Sequence, residues 1–137
     1  MCGIAGFSNF HLNFREEPGK WYPILQNMNK VQKHRGPDAD GVFLSRCCGL
    51  SHVRLSILDP QGGLQPMTRQ LENHCCTICF NGEIYNMPAL KKELEEEGME
   101  FSTACDTEVI LAGYLFHGRE YVKRLNGIFA FCIWDES

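Results

Sequence analysis

The 137 residues comprise 44% apolar, 22% charged and 11% aromatic side chains, a balance that suits one packed domain and excludes disorder and fibrous structure. A net charge of −4 and a pI near 5.7 offer no basic footprint for nucleic acid or an anionic membrane, and no apolar run reaches the roughly 18 residues that span a bilayer. With no basic leader at the start, a cytoplasmic location is expected, and the eight cysteines read as reduced thiols, most of them in the core.

In chain order, residues 1–7 form a short apolar strand that presents the first residues of the chain. Between 21 and 33, Trp21, Ile24, Leu25, Met28 and Val31 follow the i, i+3, i+4, i+7 spacing of a helix packed by one face. His34-Arg35-Gly36-Pro37-Asp38 ends that helix, with His34 and Arg35 expected to bind local carbonyls, and Asp40-Gly41 turns the chain into a strand at 42–44. Residues 50–58 alternate, with Val53, Leu55 and Ile57 on one face and His52, Arg54 and Ser56 on the other, so Arg54 points away from the apolar layer beneath its strand. Residues 59–65 form a loop. Residues 75–80 are a further strand that Asn81-Gly82 ends as a turn, the chain returning over 83–85.

Pro88 opens a helix that buries Leu90 and Leu94 and turns its glutamates to water, and a second helix starts near Thr107. Asn126-Gly127 then leads into an apolar strand over 128–134. Helices outside antiparallel strands give an α+β class.

Cysteine at position 2 has a specific chemical use. Removal of Met1 leaves one residue with both a thiol and a free α-amine, whose ordinary pKa values of about 8.5 and about 7.7 to 8.0 let the amine take the thiol proton near neutral pH. Nucleophile and base then come together with no histidine. Asn81-Gly82 supplies a side-chain amide and a backbone N–H, the donor types that stabilise the oxyanion of a tetrahedral intermediate. A plain turn is the alternative reading of that dipeptide.

Five separated blocks carry a resemblance: Met1-Cys2-Gly3-Ile4-Ala5-Gly6-Phe7, His34-Arg35-Gly36-Pro37-Asp38, Arg54-Leu55-Ser56-Ile57-Leu58-Asp59, Phe80-Asn81-Gly82-Glu83-Ile84-Tyr85-Asn86 and Asp106-Thr107-Glu108-Val109. Residues 125–131 support them. With them the chain resembles the class II glutamine amidotransferase domain, N-terminal cysteine type, of the asparagine synthetase subgroup. The resemblance implies a four-layer αββα sandwich of two antiparallel sheets, the fold of N-terminal-nucleophile hydrolases. It also implies hydrolysis of L-glutamine to glutamate and ammonia. Cys2 would be the nucleophile and its amine the base, with Asn81 and Gly82 as oxyanion hole. Arg54 would hold the glutamine α-carboxylate, Glu83 and Asp106 would receive the α-ammonium, and Leu55, Ile57 and Leu58 would line the pocket. The set suits free glutamine, which needs a guanidinium on one side and carboxylates on the other.

The partner implied is a synthetase domain or subunit that accepts the ammonia. No cofactor is expected here, since ATP and Mg belong to the synthetase. The whole of residues 1–137 reads as this glutaminase domain, stopping short of the family's later strands, so its last apolar strand leaves an edge through which a homodimer is expected. Cys105 stands where the family usually has Ser. A non-catalytic glutamine-sensing or partner-binding domain of the same fold is the alternative. His74-Cys75-Cys76 with Cys79 and Cys47-Cys48 invites a zinc reading, but strand alternation scatters thiols between faces, so core thiols and no metal are expected.

Overall fold

The computed structural model describes residues 2–56 and 63–137. Strand β1 (Gly3–Ser8) runs antiparallel to β3 (Cys48–Arg54), with Gly3 opposite Val53 and Phe7 opposite Gly49. Strand β2 (Ala39–Leu44) pairs with the other side of β3, giving the order β1-β3-β2. A second antiparallel sheet has β5 (His74–Ile84) between β4 (Met67–Leu71) and β6 (Gly127–Asp135). Helix α1 (Pro18–Gln32) covers the first sheet, while α2 (Met87–Glu96) and α3 (Asp106–His117) cover the second. The layers are therefore helix, sheet, sheet, helix, as the resemblance implied.

Each layer boundary is held by a different set of side chains. Between the sheets, Cys48, Leu50 and Cys79 are buried against Ile4, Phe43 and Trp134. His52 crosses the same boundary to bond Phe80 O at 3.1 Å. Burial pushes His52 down to about 4, so its ring is neutral and donates one N–H there. Under α2 and α3 lies the largest core, with Ile78, Phe80, Leu90, Leu94, Ile110, Leu111 and Tyr121. Beneath α1 the packing is aromatic, Phe14 standing edge-on to Phe7 at 5.0 Å.

Several local expectations are corrected. In α1 the inward stripe is Trp21, Leu25, Met28 and Asn29, with Leu25 and Asn29 buried, whereas Ile24 is exposed and Val31 is 77% exposed. The stripe is rotated because Asn29 turns inward to donate to Gly41 O at 3.0 Å. Asp40 and Gly41 are not a turn; they lie inside β2, opposite Val53 and His52. Strand β3 ends at Arg54, since Asp38 N–H takes the Arg54 carbonyl at 3.0 Å and the Asp38 carboxylate takes Ser56 N–H at 2.7 Å. Val53 and Arg54 do take opposite sides of that strand, but both sides are buried. Ile57 and Leu58 lie outside the described residues, as does the loop over 59–62.

Asn81-Gly82 is not a turn either. Strand β5 continues through it, Asn81 opposite Ala130 and Gly82 opposite Phe129, and residues 83 and 84 extend the same strand. Glycine is required there for closeness: its φ is 149°, and a Cβ would overlap Ile128 O and Phe129 Cα. Among the cysteines only Cys48, Cys76 and Cys79 are buried, and Cys132 is exposed, so most are not core residues. Strand β6 forms an edge of its sheet, with Ile128 73% exposed. Among the described residues no helix is long and apolar enough to cross a membrane.

Candidate active site

Register alone brings the first residues of the chain to a charged neighbour. Gly3 sits opposite Val53, so Cys2, one residue earlier, lies beside Arg54 at the end of β3. The Cys2 thiol donates to Leu55 O at 3.8 Å, and Arg35 Nε–H donates to Cys2 O at 3.1 Å. Arg35 was expected to bind a local carbonyl; it reaches instead across the sheet end to Cys2. His34 behaves as expected, its ring contacting Val31 O at 3.1 Å.

The second sheet contributes the far end of β5, and α3 contributes its first residue. Asp106 Oδ2 accepts Ile84 N–H at 2.7 Å, which fastens the start of α3 to the strand that carries Asn81, Gly82 and Glu83. A cavity of about 370 Å³ lies where these parts meet, lined by Cys2, Arg54, Leu55, Asn81, Gly82, Glu83 and Asp106 among others. All site residues expected from sequence and lying within the described residues thus reach one cavity. Gly63 closes one wall: its φ is 69°, and a Cβ there would stand 3.3 Å from Cys105 Sγ and 3.5 Å from Arg54 Nη2.

Two polar residues were missed by sequence reasoning. Strand β4 begins opposite Ile78, which leaves the Phe80 N–H without a ladder partner on that side. Gln65 Oε1 accepts it at 2.5 Å, while Gln65 Nε2 donates to Thr107 Oγ1 at 3.2 Å. An amide in a Gly- and Pro-rich segment has no periodicity that would have marked it. The other is Glu108, which is buried and accepts from Ser102 N at 3.0 Å, Thr103 N and Oγ1 at 2.7 Å each, and Arg69 Nη1 at 2.9 Å. Burial opposes its ionisation, but these donors outweigh it and hold the carboxyl below its ordinary value. Glu108 thereby fixes the turn that delivers Asp106.

The cavity favours a cation on its acidic side. Burial, and after it the Glu83 carboxylate, raises the Asp106 pKa against the pull of the Ile84 N–H. A folded-state pKa above the unfolded value means that the folded chain holds the proton more tightly. Stability without ligand is therefore lost as pH rises from the ordinary carboxylate value through the raised one. An ammonium seated between Glu83 and Asp106 would reverse that loss. Asp106→Asn, whose amide oxygen can still accept the Ile84 N–H, is expected to melt no lower than the parent at neutral pH. Melting curves of both chains test this; a melting temperature below that of the parent would contradict the electrostatic account.

The sequence profile of the family described as "Glutamine amidotransferase domain" matches residues 1–137. Among curated proteins, the chain is 41% identical over 137 residues to asparagine synthetase [glutamine-hydrolyzing] 1 of Bacillus subtilis, covering 100% of this chain and 21% of that protein. It is 42% identical over 137 residues to asparagine synthetase B [glutamine-hydrolyzing] of Escherichia coli, covering 100% and 24%. The chain thus spans about a fifth to a quarter of the length of these relatives. Among solved structures, it resembles glutamine phosphoribosylpyrophosphate amidotransferase from B. subtilis with a TM-score of 0.56 at 28% identity, over 69% of this chain and 22% of that one. A sequence match across all 137 residues and a shared arrangement of strands and helices agree, and the chain belongs to the glutamine amidotransferase domain family.

Proposed function

We propose that this chain hydrolyses L-glutamine to glutamate and ammonia and supplies the ammonia to a synthetase domain or subunit that makes asparagine. The observation that supports it most is the meeting, in one cavity, of Cys2 from the first sheet with Asn81 and Gly82 from the second. A nucleophile and two oxyanion donors on different sheets are useful together only if the reacting carbonyl lies between them.

In this reading Arg54 receives the glutamine α-carboxylate, and Glu83 and Asp106 receive the α-ammonium, which directs the side-chain amide towards Cys2. The Cys2 α-amine takes the thiol proton, and the sulfur attacks the amide carbon. The developing oxyanion is held by the Asn81 side-chain N–H and the Gly82 backbone N–H. Collapse returns the proton to the leaving nitrogen, ammonia departs, and a thioester remains on Cys2. Water, deprotonated by the same amine, cleaves the thioester to glutamate and regenerates the thiol. Leu55 lines this pocket. The hydrolytic steps use no cofactor; ATP and Mg would act in the synthetase part, where the acceptor is activated.

The asparagine assignment follows the names of the curated relatives, and the hydrolytic half can be tested directly. Ammonia and glutamate should appear in equal amounts from glutamine. Arg54→Ala should lower kcat/KM by about 2 to 4 kcal/mol, mostly through KM, because it removes a charge-assisted fork from the end of the substrate that does not react. An Arg54→Ala chain with unchanged KM would remove this residue from the pocket, and absence of glutamine-dependent ammonia release would remove the activity.

A further inference from the structure

The alternation that separates the thiols of β5 also places His74 and Cys76 on one face, two residues apart. The register of β6 then sets Asp135 directly opposite Cys76. Cys76 is fully buried, and its Sγ lies 3.8 Å from His74 Nε2. The same nitrogen lies 2.8 Å from Asp135 Oδ1. One atom from each of the three residues falls within 4.8 Å of the others.

The geometry points to a second site in this chain, a binding site for a zinc-class divalent cation formed by His74 Nε2, Cys76 Sγ and a carboxylate oxygen of Asp135. Tetrahedral zinc with one sulfur and two nitrogen or oxygen ligands sets its ligand atoms about 3.3 to 3.6 Å apart. The observed separations bracket that range, and His74 and Asp135, each only partly buried, can adjust to it. One thiolate, one imidazole and one carboxylate form a donor set suited to zinc rather than to magnesium or calcium. Together they carry two negative charges, which balance the ion.

The surrounding shell fits a metal carboxylate. Asp135 accepts from Tyr114 OH at 3.1 Å, Ser137 N at 3.0 Å and Ser137 Oγ at 2.6 Å. Ser137 holds Oδ1 and Tyr114 holds Oδ2; such outer donors orient a ligating carboxylate, and the second lone pair of Oδ2 is the one that would face the ion. Water would take the fourth position. Binding replaces the His74–Asp135 hydrogen bond with two metal bonds, shifts the His74 proton from Nε2 to Nδ1 by exchange with solvent, and releases the Cys76 thiol proton to solvent. Because the thiol must lose its proton to bind, affinity should rise with pH.

His74 lies at the opposite end of β5 from Asn81, seven residues along the strand and so about 23 Å away. The ion would clamp β5 to the final residues of β6 without touching the glutamine cavity.

Cobalt(II) is a suitable probe, titrated into the Cys2→Ala chain so that the N-terminal amine and thiol cannot chelate it. One equivalent is expected to give a thiolate-to-cobalt charge-transfer band with intense tetrahedral d–d bands, both removed by added zinc. His74→Gln and Cys76→Ser should each weaken binding at least about 100-fold, since loss of an outer-shell partner alone costs about 10 to 100-fold. His74 is partly exposed, so His74→Gln decides the matter if Cys76→Ser does not fold. Absence of the thiolate band, or a band unchanged in His74→Gln, would overturn the site.

Discussion

Replacing Cys2 by alanine is expected to reduce glutamine-dependent ammonia release to background while leaving glutamine able to bind. The two effects separate because the groups assigned to the α-carboxylate and α-ammonium, Arg54, Glu83 and Asp106, line the cavity independently of the thiol. Cys105 is the one other cysteine among the residues that line the cavity, and its own nitrogen is a peptide amide rather than a free amine. The loss should therefore lie in kcat, by several orders of magnitude, as for removal of a covalent nucleophile. Calorimetric titration with glutamine, paired with an ammonia assay, would show it. Residual turnover within tenfold of the parent would mean that the nucleophile lies elsewhere.

A chain that retains Met1 is expected to be about as inactive, although every side chain of the cavity is present. The nitrogen of Cys2 would then be an amide, which is not basic at neutral pH and cannot accept the thiol proton. Arg35 and Leu55 hold Cys2 by its carbonyl and its sulfur, so the residue has little freedom to seek another base. Intact mass measured on the same preparation as the rate would relate activity to the processed fraction. Comparable turnover from unprocessed protein would end the N-terminal mechanism.

Sequence made some levels of this molecule legible and hid others for physical reasons. The layers could be inferred because helices and strands differ in period, and the site residues because charged and polar groups fell in blocks that matched a family. Local geometry was harder. Asn-Gly at 81–82 is a common turn pair, yet nine residues of β6 pair with β5 straight through it, and that long ladder overrides the local preference. Ile24 and Val31 looked like part of a buried face, but the inward turn of Asn29 displaced them. Arg35 shows a different limit. Its partner is the carbonyl of Cys2, close in the folded sheet and distant along the chain, and neither spacing nor composition carries that information. Gln65 was hidden for the same reason, since what it satisfies is a strand N–H of β5 that lies beyond the start of β4.

The split of the site between the two sheets also governs when chemistry can begin. Arg54 belongs to the first sheet, with Cys2 just ahead of β1, Asn81 and Gly82 belong to the second, and Asp106 to α3, which follows β5 in the chain. Pairings so distant in sequence form late in folding, after most of the chain entropy has been lost. A partly folded chain would hold a thiol and an amine but no oxyanion donors, and would spare whatever amides it met. The sandwich thus works as an interlock: activity should track the fully assembled fraction across a denaturant series, vanishing no later than the fluorescence of Trp134 changes.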